Sequence, residues 1–234
     1  MSALLEIKGL QKDFQALRPL RLANLTINPG DIVSIGGIDA TAAVTLVHLI
    51  TGATLPDEGD ITLFGQNTRA VTDSDAWLKS LDGIGMITAR GILIEMFTIL
   101  QNIAMSFTLD VDPVDPRIIP DASALAREVG IDPAVIDVPT GKTGPEVKMR
   151  VHLARSLALG PRLLIADHPS ASLPRETVAA FGADLSRIVQ SRRLALLAVT
   201  ADDVLAKAIG GRRLELVAAT GELRAPGLLK KLFG

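Results

Sequence analysis

PGDIVSIGGIDATAAVTLVHLITG, residues Pro29 to Gly52, decides the fold. An apolar run, Ile32, Val33 and Ile35, opens behind Asp31 and ends at two glycines, Gly36 and Gly37. A short loop follows, and then an apolar helix carrying Val44, Leu46, Val47, Leu49 and Ile50. Strand, glycine turn and helix is the layout that aims a helix N-terminus at a phosphate. A phosphate-binding loop reads GxxxxGK[ST]. Its glycines let backbone N–H groups close on the anion, its lysine neutralises charge, and its hydroxyl holds magnesium. Counted from Gly37, the second glycine is Ala42, the lysine is Ala43 and the hydroxyl residue is Val44, with Thr45 next. The frame of a nucleotide site is present and its charged parts are not.

Outward from this stretch the chain reads as one α/β unit. Leu4 to Ile7, Leu22 to Ile27, Ile32 to Ile35, Asp60 to Phe64 and Gly83 to Thr88 are expected strands, separated by turns such as Asn28-Pro29-Gly30. Gln66 to Ser80 is a polar stretch. Ile92 to Thr108 carries apolar residues at helical spacing, so one helix is expected there. Asp110 to Pro120 is a proline-rich loop, Ala122 to Val129 a helix and Asp132 to Asp137 a shorter one. Glu146 to Ala158 is an amphipathic helix, Thr177 to Ser191 another. Leu163 to Ala166 and Leu194 to Val199 do not alternate and so read as buried strands of a parallel sheet.

Bulk properties exclude several classes. With 24 basic and 26 acidic side chains, the net charge of -2 gives no argument for nucleic acid or an anionic membrane. The absence of cysteine excludes thiolate chemistry and disulfides. No signal peptide or membrane span is expected, since Ala40 to Pro56 is short and Gly91 to Leu109 is broken by Glu95 and Gln101. No His/Asp/Glu spacing suggests a metal site. A mean hydropathy of +0.35 fits a large aliphatic core or an apolar surface for a partner.

The order of segments resembles the ATP-binding subunit of ABC transporters nearly end to end. The resemblance implies a RecA-like core with an antiparallel β lobe, residues 1–234 forming one such domain, and a helical lobe inserted at about 90–160. Phe14 sits where that family stacks an aromatic on adenine. Gly37, Ala42, Ala43, Val44 and Thr45 fill the phosphate loop, and Ala89 the glutamine that senses γ-phosphate. Thr143, Gly144, Pro145, Glu146 and Val147 align with the LSGGQ signature, whose helix N-terminus faces the ATP of a second subunit. Pro145 has no N–H and Glu146 brings a carboxylate, so both oppose phosphate. Asp167 matches the magnesium-binding aspartate, His168 replaces the glutamate that polarises water, and Ala201 replaces the switch histidine.

Six positions thus depart from the family: Ala42, Ala43, Val44, Ala89, His168 and Ala201. One pre-organised charge-stabilising group is worth about 3–4 kcal/mol, or roughly 10²–10³ in rate. The expectation is therefore a degenerate, non-hydrolysing subunit of a transporter assembly with no working cofactor, ATP and magnesium entering only if residual binding persists. Expected partners are a transmembrane permease-type protein or another ABC subunit, as a homo- or heterodimer. The place is the cytoplasmic face of the membrane, reached through a protein partner. The candidate contact surface is Arg90 to Phe107. Two alternatives stay open: a residual ATP binder or slow ATPase using Asp167, His168 and Phe14, and a free scaffold unconnected with transport.

Overall fold

The computed structural model describes residues 2–226 except 15 and 17. Two sheets share one helix between them. The first sheet is antiparallel, in the order β2-β1-β4-β5, from β1 (Leu5–Lys12), β2 (Leu20–Ile27), β4 (Glu58–Leu63) and β5 (Gln66–Asn67). The second, in the order β10-β9-β3-β8-β7-β6, contains β3 (Ile32–Gly36), β6 (Ile84–Thr88), β7 (Leu163–Asp167), β8 (Ala195–Val199), β9 (Arg212–Val217) and β10 (Glu222–Arg224). Its pairs are parallel except β9 with β10. The chain is accordingly α/β with an antiparallel lobe, as the apolar runs imply.

Helix α1 (Ala40–Ile50) lies between the sheets. Leu46, Leu49 and Ile50 have no exposure, and they share a core with Ile7, Ile27 and Ile61 of the first sheet and Val33, Ile35 and Leu197 of the second. A helix buried on two sides must be apolar over most of its circumference, which explains its composition. The opposite face of the second sheet presents Leu164, Ala166, Leu196 and Ala198 to a second core built by helices. Strand side chains alternate between faces, so β7 sends Leu163 and Ile165 to one core and Leu164 and Ala166 to the other.

Helix α2 (Ser74–Ser80) stands inside the stretch read as merely polar. Its single buried residue is Trp77, whose Nε1 donates to the Thr51 carbonyl at 3.1 Å. The remaining helices are α3 (Ile99–Ala104), α4 (Ile119–Glu128), α5 (Pro145–Leu157), α6 (Val178–Ser191) and α7 (Asp203–Ile209).

The helix expected over Ile92 to Thr108 is corrected to α3, because the chain before it is held by side chains instead of by an i→i−4 ladder. Fully buried Asn102 accepts from the Ile94 N–H at 2.9 Å and donates to the carbonyls of Ile94, Phe97 and Thr98. Thr98 and Gln101 then close a capping box that starts α3. Arg150 of α5 joins three helices: its guanidinium meets the Val129 carbonyl behind α4, Glu146 within α5, and Asp184 of α6 at 2.9 Å. Among the described residues no helix is long and apolar enough to cross a membrane.

Candidate nucleotide site

The carboxyl ends of β3, β7 and β8 bring most of the singled-out residues to one rim of the second sheet. At the end of β3 the backbone turns through Gly37 at φ +75°, where a Cβ would stand 2.7 Å from the Leu216 carbonyl oxygen. Only glycine fits that combination.

Asp39 then caps α1. Its carboxylate accepts from the N–H groups of Thr41 and Ala42 at 2.9 and 2.8 Å. These are donors of the helix's first turn, the groups that would otherwise face an incoming anion. Ala42 and Ala43 are buried under the antiparallel sheet, and Val44 is half-buried. The Thr45 hydroxyl donates backwards to the Thr41 carbonyl at 3.0 Å, so the hydroxyl of this stretch serves its own helix.

Asp167, at the end of β7, is nearly buried and has three partners. The guanidinium of Arg90 pairs with it, the Thr88 hydroxyl donates at 3.3 Å, and the His168 ring lies at 2.9 Å through Nδ1. Asp167 is thus a strand-end carboxylate bound to the neighbouring loop. Arg90 also donates to the Ala40 carbonyl in the first turn of α1, at 3.2 Å. One cation therefore bridges β7 and α1. Ala89, just before it, is half-buried against the helical core.

Glu215 on β9 adds a second carboxylate beside the glycine turn, packed on Gly36 and Gly37 in register with β3. Burial, followed by the nearby Asp203, pushes its carboxyl above the usual range, with Arg213 opposing. His168 and Ala201 line a shared cavity of about 440 Å³ with Arg175 and Asp202. The His168 backbone is left-handed, at φ +45°, and its N–H donates to the Val199 carbonyl at 2.8 Å. Phe14 is half-buried and shares a cavity of about 530 Å³ with Arg18, Gly37, Asp39 and Ala42. Positions 15 and 17 of that loop lie outside the described residues.

The signature-aligned residues stand apart from this rim. Gly144 is the N-cap of α5, no side chain caps that helix, and Pro145 occupies its first turn. Glu146 turns to Arg150 at 3.0 Å, and Lys148 approaches Glu95 at 3.4 Å. Thr143 closes a turn on the Thr140 carbonyl at 2.9 Å, and Val147 packs on the helical core. On the far side of Arg90, Met86, Ile92, Ser106, His152, Arg155 and Leu159 line a groove of about 380 Å³. Ile92, Met96 and Leu109 are among the most exposed large apolar residues of the chain. Burial, then Arg155, holds the His152 imidazole below its usual range.

Three of these roles differ in how legible they are in the sequence. Asp39 was readable as a cap, since aspartate immediately before an apolar helix is a start signal; its charge alone suggested only repulsion of a polyanion. Arg90 has one clue, a cation next to Ala89, the position that the resemblance gives to the family's glutamine. Glu215 had none, because β9 gave no distinct strand pattern.

Comparison with known proteins follows the same outline. The ABC transporter family profile matches residues 20–171. The lipoprotein-releasing system ATP-binding protein LolD of Acinetobacter baylyi is 29% identical over 207 residues, covering 87% of this chain and 90% of that protein. The Fe(3+) ions import ATP-binding protein FbpC of Serratia marcescens is 29% identical over 199 residues, 85% of this chain and 56% of its own. Among solved structures, cbiO1 from Clostridium perfringens, part of the ABC transporter complex cbiONQ, superposes with a TM-score of 0.78 at 20% identity, covering 100% of this chain and 91% of that one. The dimeric ATP-binding cassette MJ0796 bound to ADP and Pi gives 0.73 at 22% identity, over 94% and 96%. At these identities the structures speak for the fold.

Proposed function

The chain belongs to the ABC transporter family as an ATP-binding subunit, and from that premise we propose that it is a non-hydrolysing one, a structural or regulatory subunit of a transporter assembly. The observation that carries the reading is the occupation of the site by the chain itself. Asp39 takes the first-turn N–H groups of α1, and Arg90 takes Asp167. A triphosphate brought here meets Asp39 and Glu215, and the loop position where the family carries its lysine is Ala43. Magnesium meets an aspartate already neutralised by a guanidinium, a Thr45 hydroxyl turned into its helix, and alanine at position 89. These residues do not suit ATP with magnesium, and no hydrolytic step is derived through them. At the second half-site, Pro145 gives another subunit's ATP no N–H and Glu146 brings it an unfavourable charge.

The function that remains is contact. The inserted lobe, about residues 90–160, carries the exposed apolar residues Ile92, Met96, Phe107 and Leu109. Here the lobe would dock on a transmembrane permease-type protein or another ABC subunit, in a homo- or heterodimer. That contact would hold the chain on the inner face of the membrane. The named relatives, ATP-binding proteins of lipoprotein-releasing and import systems, support a transport setting.

A second reading has one observation in its favour: the cavity beside Phe14 persists although the phosphate grip does not. It supports weak nucleoside contact without hydrolysis. Thermal unfolding with and without Mg-ATP separates the readings. The non-hydrolysing, non-binding subunit shows no saturable stabilisation, whereas ligand at about 100 times its Kd adds about 2.7 kcal/mol. Saturable stabilisation by Mg-ATP that Asp167→Ala abolishes would refute the proposal, and stabilisation by adenosine alone would move it to the second reading. Replacing Ala42→Gly, Ala43→Lys and Val44→Thr is expected to restore binding only when Asp39→Ser and Arg90→Gln are added.

A further inference from the structure

Arg90 does more than neutralise Asp167. It stands at the head of a loop, residues 88–98, that is held at every stage by side chains from a different element. Arg90 itself binds Asp167 of β7 and the Ala40 carbonyl of α1. One residue on, Gly91 packs against the His152 ring, closely enough that a Cβ there would stand 2.7 Å from Nδ1. The Ile92 carbonyl then accepts from Arg155 of the same helix, α5, at 3.2 Å. Ile94, Phe97 and Thr98 are tied to Asn102 of α3, and Ile94 also to the Thr140 hydroxyl at 3.0 Å. The loop is therefore the covalent and hydrogen-bonded link between the sheet rim and helices α3 and α5.

From this arrangement we infer that Arg90 is a chain-borne cation whose bonds to β7 and α1 hold the head of this loop on the sheet core, so that helices α3 and α5, tied to the later residues of the loop, are fixed to the sheet without any diffusible metal or nucleotide. The inference rests on the non-hydrolysing reading and adds a regulatory consequence: the lobe's docking groove keeps one geometry whatever the nucleotide level. The physical ground is the two-sided bond. A planar guanidinium presents several donors in fixed directions, so one side chain reaches both a carboxylate and a backbone carbonyl of another element. An ammonium, a single point charge, satisfies one side less well. Thr88 contributes to the same fixation, its hydroxyl linking the Arg90 N–H to Asp167, each at 3.3 Å.

Amide hydrogen exchange on the full chain tests it. In Arg90→Ala the amides of Gly91, Ile94 and Phe97, and those along α5 from Lys148 to Ser156, should exchange about tenfold faster, while β1 and β2 stay unchanged. Arg90→Lys should fall between the two. Because the Arg90 side chain is 49% exposed, both variants are expected to fold, with unaltered β1 and β2 exchange as the internal control. Unchanged exchange over 91–98 in Arg90→Ala would overturn the inference, and full retention of wild-type exchange in Arg90→Lys would overturn its two-sided guanidinium basis. A separate arm adds Mg-ATP to the wild-type chain: no change over 88–98 supports a nucleotide-independent lobe. New protection there would overturn the nucleotide independence of the lobe, whatever the variants show, and would leave hydrolysis to be read separately by phosphate release.

Discussion

Helix α1 begins under a carboxylate of its own chain, whereas α5 begins under a glycine and a proline that offer it none. In the function proposed above, both starts take the place of phosphate-facing helix ends of the family. At α1 the two first-turn donors are consumed by Asp39 and the flank is made more negative by Glu215. At α5 the first turn is anchored from below instead, through Arg150, Glu146 and Asp184. The difference teaches that a helix end can be made unfavourable to an outside anion in two ways, by an internal anion on its N–H groups or by a proline in place of an N–H beside a fixed acid. Evidence of the first kind is a bond; evidence of the second is only composition.

The largest expected effect breaks the α5 side. Arg150→Ala removes a nearly buried guanidinium and strands the Val129 carbonyl and Asp184, costing about 3 kcal/mol. Denaturant unfolding reads this directly, and a loss under about 1 kcal/mol would show that α5 is not anchored there. On the α1 side, Asp39→Ala deletes the cap and is expected to cost about 1 kcal/mol. An unchanged midpoint would mean that solvent replaces the carboxylate at no loss.

Glu215→Gln sharpens the charge argument through pH. The folded carboxyl is shifted upward by burial and Asp203, so its contribution is fully present below the ordinary glutamate range and lost as pH rises through the folded value. The variant should lack that loss, becoming more stable relative to wild type as pH rises above the ordinary glutamate range. Parallel unfolding profiles above that range would contradict it. The smallest effect belongs to Gly144→Asp, which gives α5 the kind of cap α1 already has. Gly144 has extended dihedrals, φ -73° and ψ 167°, and open space for a Cβ, so a gain of about 0.3 kcal/mol is expected. A loss in thermal unfolding would mean that the α5 start is not open.

Much of this was legible before any coordinates. Unalternating runs such as Leu163 to Ala166 gave a buried parallel strand, since two covered faces demand apolar residues at every position. The strand-turn-helix at Gly36 and Gly37 placed the site, because a left-handed turn at a crowded backbone admits only glycine. The apolar spacing over Ile92 to Thr108 yields a helix only at Ile99–Ala104 for a physical reason: such spacing reports a buried face, and a loop pinned by Asn102 buries one as well. The strand β9 escaped because its arginines and Glu215 break the pattern at a sheet position bordering the rim.

The sequence by itself determined the α/β order and the family, since these depend on local periodicity and residue identity. Only the tertiary structure decided how the residues at the sheet rim are bonded to one another. That Asp39 would turn onto its own helix, and Arg90 reach across to Asp167 and Ala40, depends on where separate elements meet in space. Charges 77 residues apart become partners only when the sheet sets β6 beside β7.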